Sequence, residues 1–283
     1  MKLKTKETII AYLFIFPSLT GIVVFYIIPY IICFVKSTYI GNRFVGIENY
    51  ILLFQNKTFL LALKNTAIFS ITAIPLTMII SFLLALFLNS FKGISAFFRS
   101  TLLIPVIAPV ASLICVWQVI FDDYGAINSL LNQLGFSPIH FFNSEFSMIM
   151  IILIYIWKYC GFCAIIFTSG LANMNRTLYE SAKLDGANNF QLVTRITLPL
   201  ITPTTFFVFL MEIIYFFKIS REMFALFGNY PNKNVYFLQN FISNNYYNIN
   251  YPRLSSASVI LSVMIIGTVL LFFLFERKNS YSD

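Results

Sequence analysis

The sequence predicts an all-α membrane protein with six transmembrane helices and a helical elbow on the cytoplasmic side between the fourth and the fifth. Three observations carry this. Of 283 residues, 59% are hydrophobic and only 11% charged, against about 25% charge in a soluble domain. The apolar residues fall into six runs, each near the roughly 20 residues a helix needs to cross a hydrocarbon core about 30 Å thick. One polar stretch of helix-capping residues interrupts the pattern. The composition excludes a soluble globular enzyme, an intrinsically disordered chain and, with 4 Cys, a disulfide scaffold.

Taken in order, the runs are Ile9 to Phe34, Asn65 to Leu88, Thr101 to Phe121, Phe146 to Leu171, Leu200 to Phe217 and Ser255 to Phe275. The first is too long for a signal-peptide core and has no small-residue cleavage site after it, so it reads as an uncleaved first span. The fifth is the weakest by composition, because Glu212 lies inside it. The net charge of +8 reads as topology rather than as a nucleic-acid surface. With both termini inside, the short cytoplasmic segments hold Lys2, Lys4, Lys6, Lys92, Arg99, Arg176, Lys183, Arg195, Arg277 and Lys278. The longer outer loops hold Lys36, Arg43, Lys57, Lys64, Lys218, Arg221, Lys233 and Arg253. The balance favours cytoplasmic termini by a modest margin.

Cys33, Cys115, Cys160 and Cys163 all fall in apolar runs, so no disulfide framework is expected. Cys160 and Cys163 have the spacing of a metal or redox pair, but the sole histidine, His140, stands in a distant loop and no metal site is expected. None of the 11 glycines precedes a lysine, so the phosphate-cradling loop that ends in Gly-Lys-Ser/Thr is absent. Any ATP chemistry belongs to another chain.

The stretch from Asn173 to Thr197 is about 25 residues, beyond the 2 to 8 of a plain helix connection, and carries structure of its own. Thr177 and Glu180 have capping-box spacing. A short helix from Leu178 to Asp185 follows, Gly186 stands where a left-handed C-cap is wanted, and Asn188 with Gln191 starts a second helix that Pro199 closes. Tyr179, Ala182, Leu184, Phe190, Val193 and Ile196 give this elbow apolar faces suited to docking.

The spacing of Glu180-Ser181-Ala182, Gly186, Ile196, Leu198 and Pro199 resembles the "EAA" loop of binding-protein-dependent ABC importer permeases, with Ser in place of the middle Ala. The resemblance extends through Tyr12-Leu13, Pro17, Pro29, Phe44-Val45-Gly46, Asn49-Tyr50, Asn65-Thr66, Phe98-Arg99, Pro105, Trp117, Tyr124-Gly125, Asn128, Trp157-Lys158, Gly161-Phe162 and Leu184-Asp185-Gly186-Ala187. These look like the carbohydrate-uptake branch, whose cargoes include sugars and glycerol phosphates. The chain departs from the family's Gly-Gly-Pro turn after span five, reading Gly228-Asn229-Tyr230-Pro231, and from its glycine-alanine entry to span six, reading Leu254-Ser255-Ser256-Ala257.

The resemblance implies one permease domain over residues 1–283. Its core runs from about 65 to 275 without the first span, and residues 173–199 form the coupling loop. It implies a bacterial cell-membrane location and three kinds of partner: ABC ATPase subunits that bind the ATP, a second permease chain in a heterodimer, and an extracytoplasmic solute-binding protein. Glu180, Ser181, Ala182, Asp185, Gly186, Ile196, Leu198 and Pro199 would meet the ATPase; no enzyme activity and no cofactor are expected on this chain. Glu180 has two readings, a cap for its own helix or a contact for a basic partner residue.

Within the spans, Lys158 and Glu212 need explanation, since a charge at mid-bilayer costs about 2.5 to 3.5 kcal/mol on insertion scales. They lie at similar depth, which places them as a pair that either lines the pathway or braces two helices. Trp157 and Tyr215 are aromatic candidates for stacking on a sugar, or ordinary packing. The competing classes are a secondary transporter, for which no internal repeat is visible, and a channel-like protein, which gives no reason for the elbow.

Overall fold

In the computed structural model, which describes residues 2–90 and 96–280, most of the described residues are helical. Lys92, one of the basic residues that set the expected orientation, lies outside the described residues, as do the side chains of Lys2, Lys4, Lys6, Arg99, Arg277 and Lys278. The helices are α1 (Lys2–Ile22), α2 (Ile28–Ser37), α3 (Glu48–Gln55), α4 (Lys57–Ser90), α5 (Ala96–Ile107), α6 (Val110–Phe121), α7 (Ala126–Gln133), α8 (Ser147–Ala172), α9 (Arg176–Leu184), α10 (Asn189–Gln191), α11 (Leu198–Leu200), α12 (Thr202–Lys218), α13 (Ser220–Phe227), α14 (Leu238–Tyr247) and α15 (Tyr251–Ser280). Among the described residues six helical stretches are long and apolar enough to cross a membrane: Ile10–Ser37, Lys57–Ser90, Val110–Gln133, Ser147–Ala172, Thr202–Phe227 and Tyr251–Leu274.

Five spans match the apolar runs, and the third differs in detail. The run from Thr101 to Phe121 is two helices of 12 residues each, α5 and α6, and a helix of that length covers only about 18 Å. The break is at Ala108-Pro109, where Pro109 is extended with φ −57° and ψ 141°. A proline disfavours helical geometry in the residue before it and lacks the N–H that would continue the ladder. Elsewhere proline shifts the helix instead of ending it. Five-residue and six-residue π-helical stretches, Val23–Ile27 and Leu192–Thr197, each stop two residues before a proline, Pro29 and Pro199. A missing donor lets the preceding carbonyls pair one residue further on. The expected stop at Pro199 is therefore corrected: the helical path runs through it, with Ile201 N–H still bonded to Thr197 O at 2.9 Å.

The contacts group the chain into two units, Met1–Leu60 with Leu238–Met264 and Leu61–Phe237 with Ile265–Asp283. In the first, α2 leads into a two-residue hairpin, Tyr39–Ile40 against Arg43–Phe44, turned at Gly41. Asn49 donates its amide to the carbonyls of Ser37 and Tyr39, 2.9 and 3.1 Å. In the second unit Asn65 does the same to Lys233 and Tyr236, 2.8 and 3.0 Å, and Asn128 to Asp122 and Ile139, 3.0 and 2.9 Å. One amide that satisfies two loop carbonyls lets non-helical backbone exist beside apolar helices without orphaned acceptors.

The core of the second unit centres on α8, half of whose apolar window is buried. Phe69, Tyr155, Tyr159, Phe167, Tyr215, Phe216 and Phe237 fill it, with edge-on ring contacts such as Phe69 to Tyr155 at 5.4 Å. Two glycines let neighbouring helices come close to α8. A Cβ on Gly161 would overlap the carbonyl of Leu102 on α5, and one on Gly170 would stand 2.5 Å from Thr204 Oγ1 on α12.

Candidate functional site: the elbow and the buried charges behind it

The elbow is built from α9, Gly186 and α10. Its N-terminus differs from the expected capping box at Thr177 and Glu180. Asn175 is the N-cap, its side chain accepting from Thr177 N–H at 3.0 Å and from the Thr177 hydroxyl at 2.9 Å. An asparagine two residues upstream reaches the orphan donor first, so the helix starts at Arg176 and Glu180 stays exposed on α9. At the other end Ala187 N–H bonds Ala182 O at 2.9 Å and Gly186 N–H bonds Lys183 O at 3.1 Å. This is the Schellman pattern, and Gly186 takes the left-handed φ of +85° it requires. Asn188 and Gln191 start the second helix as expected, and do so through a capping box: Asn188 Oδ1 accepts from Gln191 N–H and Gln191 Oε1 from Asn188 N–H, both 2.9 Å.

The turn brings Ala182, Asp185, Gly186 and Ile196 together with Ala187, Gln191 and Arg195 around a groove of about 390 Å³. Glu180 and Ser181 lie exposed on α9, and Leu198 and Pro199 sit in the exposed stretch that leads to α12; none of these four lines the groove. Leu184 and Phe190, 89% and 75% exposed, stand out from the turn. Tyr179 ties the two arms together, its hydroxyl 3.0 Å from Thr197 Oγ1 and 3.1 Å from Met174 Sδ.

Behind the elbow, in the spans that flank it, the buried charges differ from expectation. Lys158 does not pair with Glu212; it forms an ion pair with Glu222 of α13. Glu212, fully buried, receives the Tyr155 hydroxyl on Oε2 at 2.6 Å and the Cys163 thiol on Oε1 at 2.9 Å. The reason is reach: α8 runs antiparallel to α12 and α13, so residues facing Glu212 are Tyr155 and Cys163, one turn to either side of Tyr159, while Lys158 extends toward Glu222. Tyr159 and Tyr215 stack at 4.2 Å with an 11° interplanar angle, and the Lys158 ammonium sits 5.4 Å above the Tyr159 ring. Trp157 is 41% exposed and meets Trp117 edge-on at 5.8 Å. No group of three or more metal-binding side chains exists among the described residues.

Glu222 escaped the sequence reading because Lys218, Ser220 and Arg221 make its surroundings look like a solvated loop. Helical periodicity held the missing signal. Val208, Glu212, Tyr215, Ile219, Glu222 and Met223 are all buried and follow one 3.6-residue stripe past the end of the apolar run.

Six apolar stretches long enough to cross a membrane and a capped elbow between the fourth and the fifth define a helical polytopic membrane protein. The chain belongs to the family described as binding-protein-dependent transport system inner membrane component, matched over residues 78–279. It is similar to the arabinooligosaccharides transport system permease protein AraP of Bacillus subtilis, 34% identical over 235 residues that cover 79% of this chain and 74% of that one. It is also similar to the sn-glycerol-3-phosphate transport system permease protein UgpA of Yersinia pestis, 28% identical over 280 residues and 95% of both chains. Its fold matches a chain in the crystal structure of a bacterial ABC transporter involved in the import of the acidic polysaccharide alginate. There the TM-score is 0.85 at 22% identity, covering 98% of this chain and 99% of that chain.

Proposed function

We propose that this chain is one of two permease subunits of an ATP-driven importer for a sugar or related carbohydrate in a bacterial cell membrane. An extracytoplasmic binding protein delivers the solute, and separate ABC ATPase subunits bind the ATP and dock on the elbow. Both termini and the elbow lie on the cytoplasmic side. The observation that carries the reading is the elbow itself: Leu184 and Phe190 are held out to solvent by a turn that is fully capped at both ends. Exposed large apolar side chains on an ordered polar segment mark a protein interface. With Asn175 as the cap, Glu180 is left for a basic residue of the ATPase. Ser181, Ala182, Asp185, Gly186, Ile196, Leu198 and Pro199 complete the coupling surface. The carbohydrate assignment rests on the cargoes for which the similar proteins are named.

Within the spans, Trp157 is the exposed member of the four pathway candidates and is the one assigned to line the route. Lys158, Glu212 and Tyr215 brace α8 against α12 and α13. Docking closes when the ATPase pair binds ATP, and the elbow carries that movement into the flanking spans.

The test is co-purification with the cognate ATPase before and after Gly186→Val. A β-branched residue at φ +85° is strained by at least the 1–2 kcal/mol, roughly, of the left-handed region, so the turn reshapes and the ATPase is lost from the complex. A complex that survives intact, or aqueous labelling of the elbow from outside intact cells, overturns the assignment.

A further inference from the structure

The segment between α6 and α8 has no role in the reading above. From Tyr124 to Ile139 it contains no charged residue. The residues that flank it meet at its neck, His140 Nδ1 lying 2.8 Å from Asp123 Oδ1. Asn128, fully buried, wires the interior. It donates to the carbonyls of Asp122 and Ile139 and accepts from Ile139 N–H at 2.8 Å. Gly125 fits beneath this hub, where a Cβ would come within 2.8 Å of the Ile120 carbonyl. The segment is thus a loop closed at its neck by Asn128 around the eight-residue helix α7.

What that loop presents outward is apolar. Tyr124 is 96% exposed, Leu130 58%, Leu134 72% and Phe136 63%. Leu130 on α7 and Leu134, its C-cap, are i and i+4 and share a face, whereas Ser129 and Asn132 are exposed away from it. Four large apolar side chains exposed within 13 residues form a patch, and such a patch marks a contact surface. The loop follows the last residue of α6, Phe121, within five residues, and α8 separates it from the elbow by one membrane crossing.

We infer that α7 and its flanking turns are an interfacial anchor: the Tyr124, Leu130, Leu134 and Phe136 surface rests in the headgroup and upper acyl zone of the bilayer on the face opposite the elbow. Three features fit lipid as the occupant. The apolar surface is continuous in the chain with the apolar helix α6, no charge lies on it, and the Asn128 amide satisfies the neck carbonyls of Asp122 and Ile139 from within, as an interface poor in water favours. A tyrosine at the rim suits the boundary, where an amphipathic ring keeps its hydroxyl wet. This inference depends on the spans being in the bilayer and not on the ATPase docking, so either can fail without the other.

The experiment places a photoreactive benzoyl-phenylalanine at Leu130, at Leu134 and, as a control, at Ser129, in the full chain within its assembled complex. The complex is reconstituted in vesicles of phosphatidylethanolamine and phosphatidylglycerol. Irradiation at positions 130 and 134 is expected to give a phospholipid adduct by intact mass, and at position 129 none. A cross-link from 130 or 134 to a second permease chain or to the binding protein overturns the inference, as does the absence of any lipid adduct at both. Fluorescence of Leu130→Trp, quenched by shallowly brominated lipid and not by aqueous iodide, checks the same point without photochemistry; quenching by iodide alone counts against it.

Discussion

Replacing Lys158 by Met isolates the buried ion pair and separates it from the neighbouring carboxylate. In the intact protein Lys158 is paired with Glu222, and their side chains are 8% and 1% exposed. The second oxygen of Glu222 and the hydroxyl of Tyr159 are buried with no hydrogen-bond partner among the described residues. Removing the ammonium therefore leaves a buried carboxylate without its counter-charge. An uncompensated buried charge of this kind costs about 3–5 kcal/mol. At roughly 2–4 °C per kcal/mol for a chain of this order of size, the thermal midpoint falls by about 6–20 °C. Removing both charges with Lys158→Met and Glu222→Met restores most of that, since an apolar pair of similar volume is close to neutral. Intrinsic fluorescence of Trp117 and Trp157 in detergent follows the transition. The decisive comparison adds Glu212→Gln to Lys158→Met. Because Glu212 is held by Tyr155 and Cys163 instead, those two changes add, whereas Lys158 and Glu222 show a large coupling. A Lys158→Met variant within about 1 kcal/mol of the parent, or stronger coupling of Lys158 to Glu212 than to Glu222, refutes the pairing.

Two further outcomes follow from the packing of α8. Gly161→Ala forces a methyl group into the Leu102 backbone carbonyl, which no rotamer change relieves; it destabilises by about 1–3 kcal/mol, read as a lower thermal midpoint. Glu212→Gln, with Tyr155→Phe as its partner change, lowers solute uptake in vesicles while the ATPase still co-purifies. Unchanged uptake in both removes any role for this brace in transport.

The six spans and the elbow were legible because both rest on local chemistry. Twenty apolar residues have few alternatives in lipid, and Gly186 after a short amphipathic stretch has one backbone conformation that ends the helix well. What escaped was decided by competition. Thr177 with Glu180 is a sound capping pair, yet Asn175 stands two residues nearer the preceding span and takes the same donor. Lys158 and Glu212 are level in the bilayer, yet Lys158 is long and reaches Glu222 ten residues beyond. The run from Thr101 to Phe121 is predominantly apolar, yet Pro109 within it outweighs hydropathy in setting the backbone. In each case the residue types were right and the partner was a question of three-dimensional reach.

That reach also says how the elbow can act. α9 starts four residues after α8 ends, and the π-helical stretch that packs on it leads through Pro199 into α12. The Tyr179 hydroxyl bridges the two arms at Thr197, Gly170 brings α8 within contact of Thr204 on α12, and Glu212 joins the same two helices through Tyr155 and Cys163. On the proposed docking, a push on Leu184 or Phe190 would meet two spans fastened to each other at three levels and would move them as one lever. Gly186 serves this arrangement by its backbone alone. An added Cβ there meets nothing within 4 Å, so Gly186→Ala is a pure conformational perturbation of about 1–2 kcal/mol. If the ATPase docks on the elbow as proposed, any loss of coupling it causes measures what the angle of the turn contributes, apart from contact at residue 186.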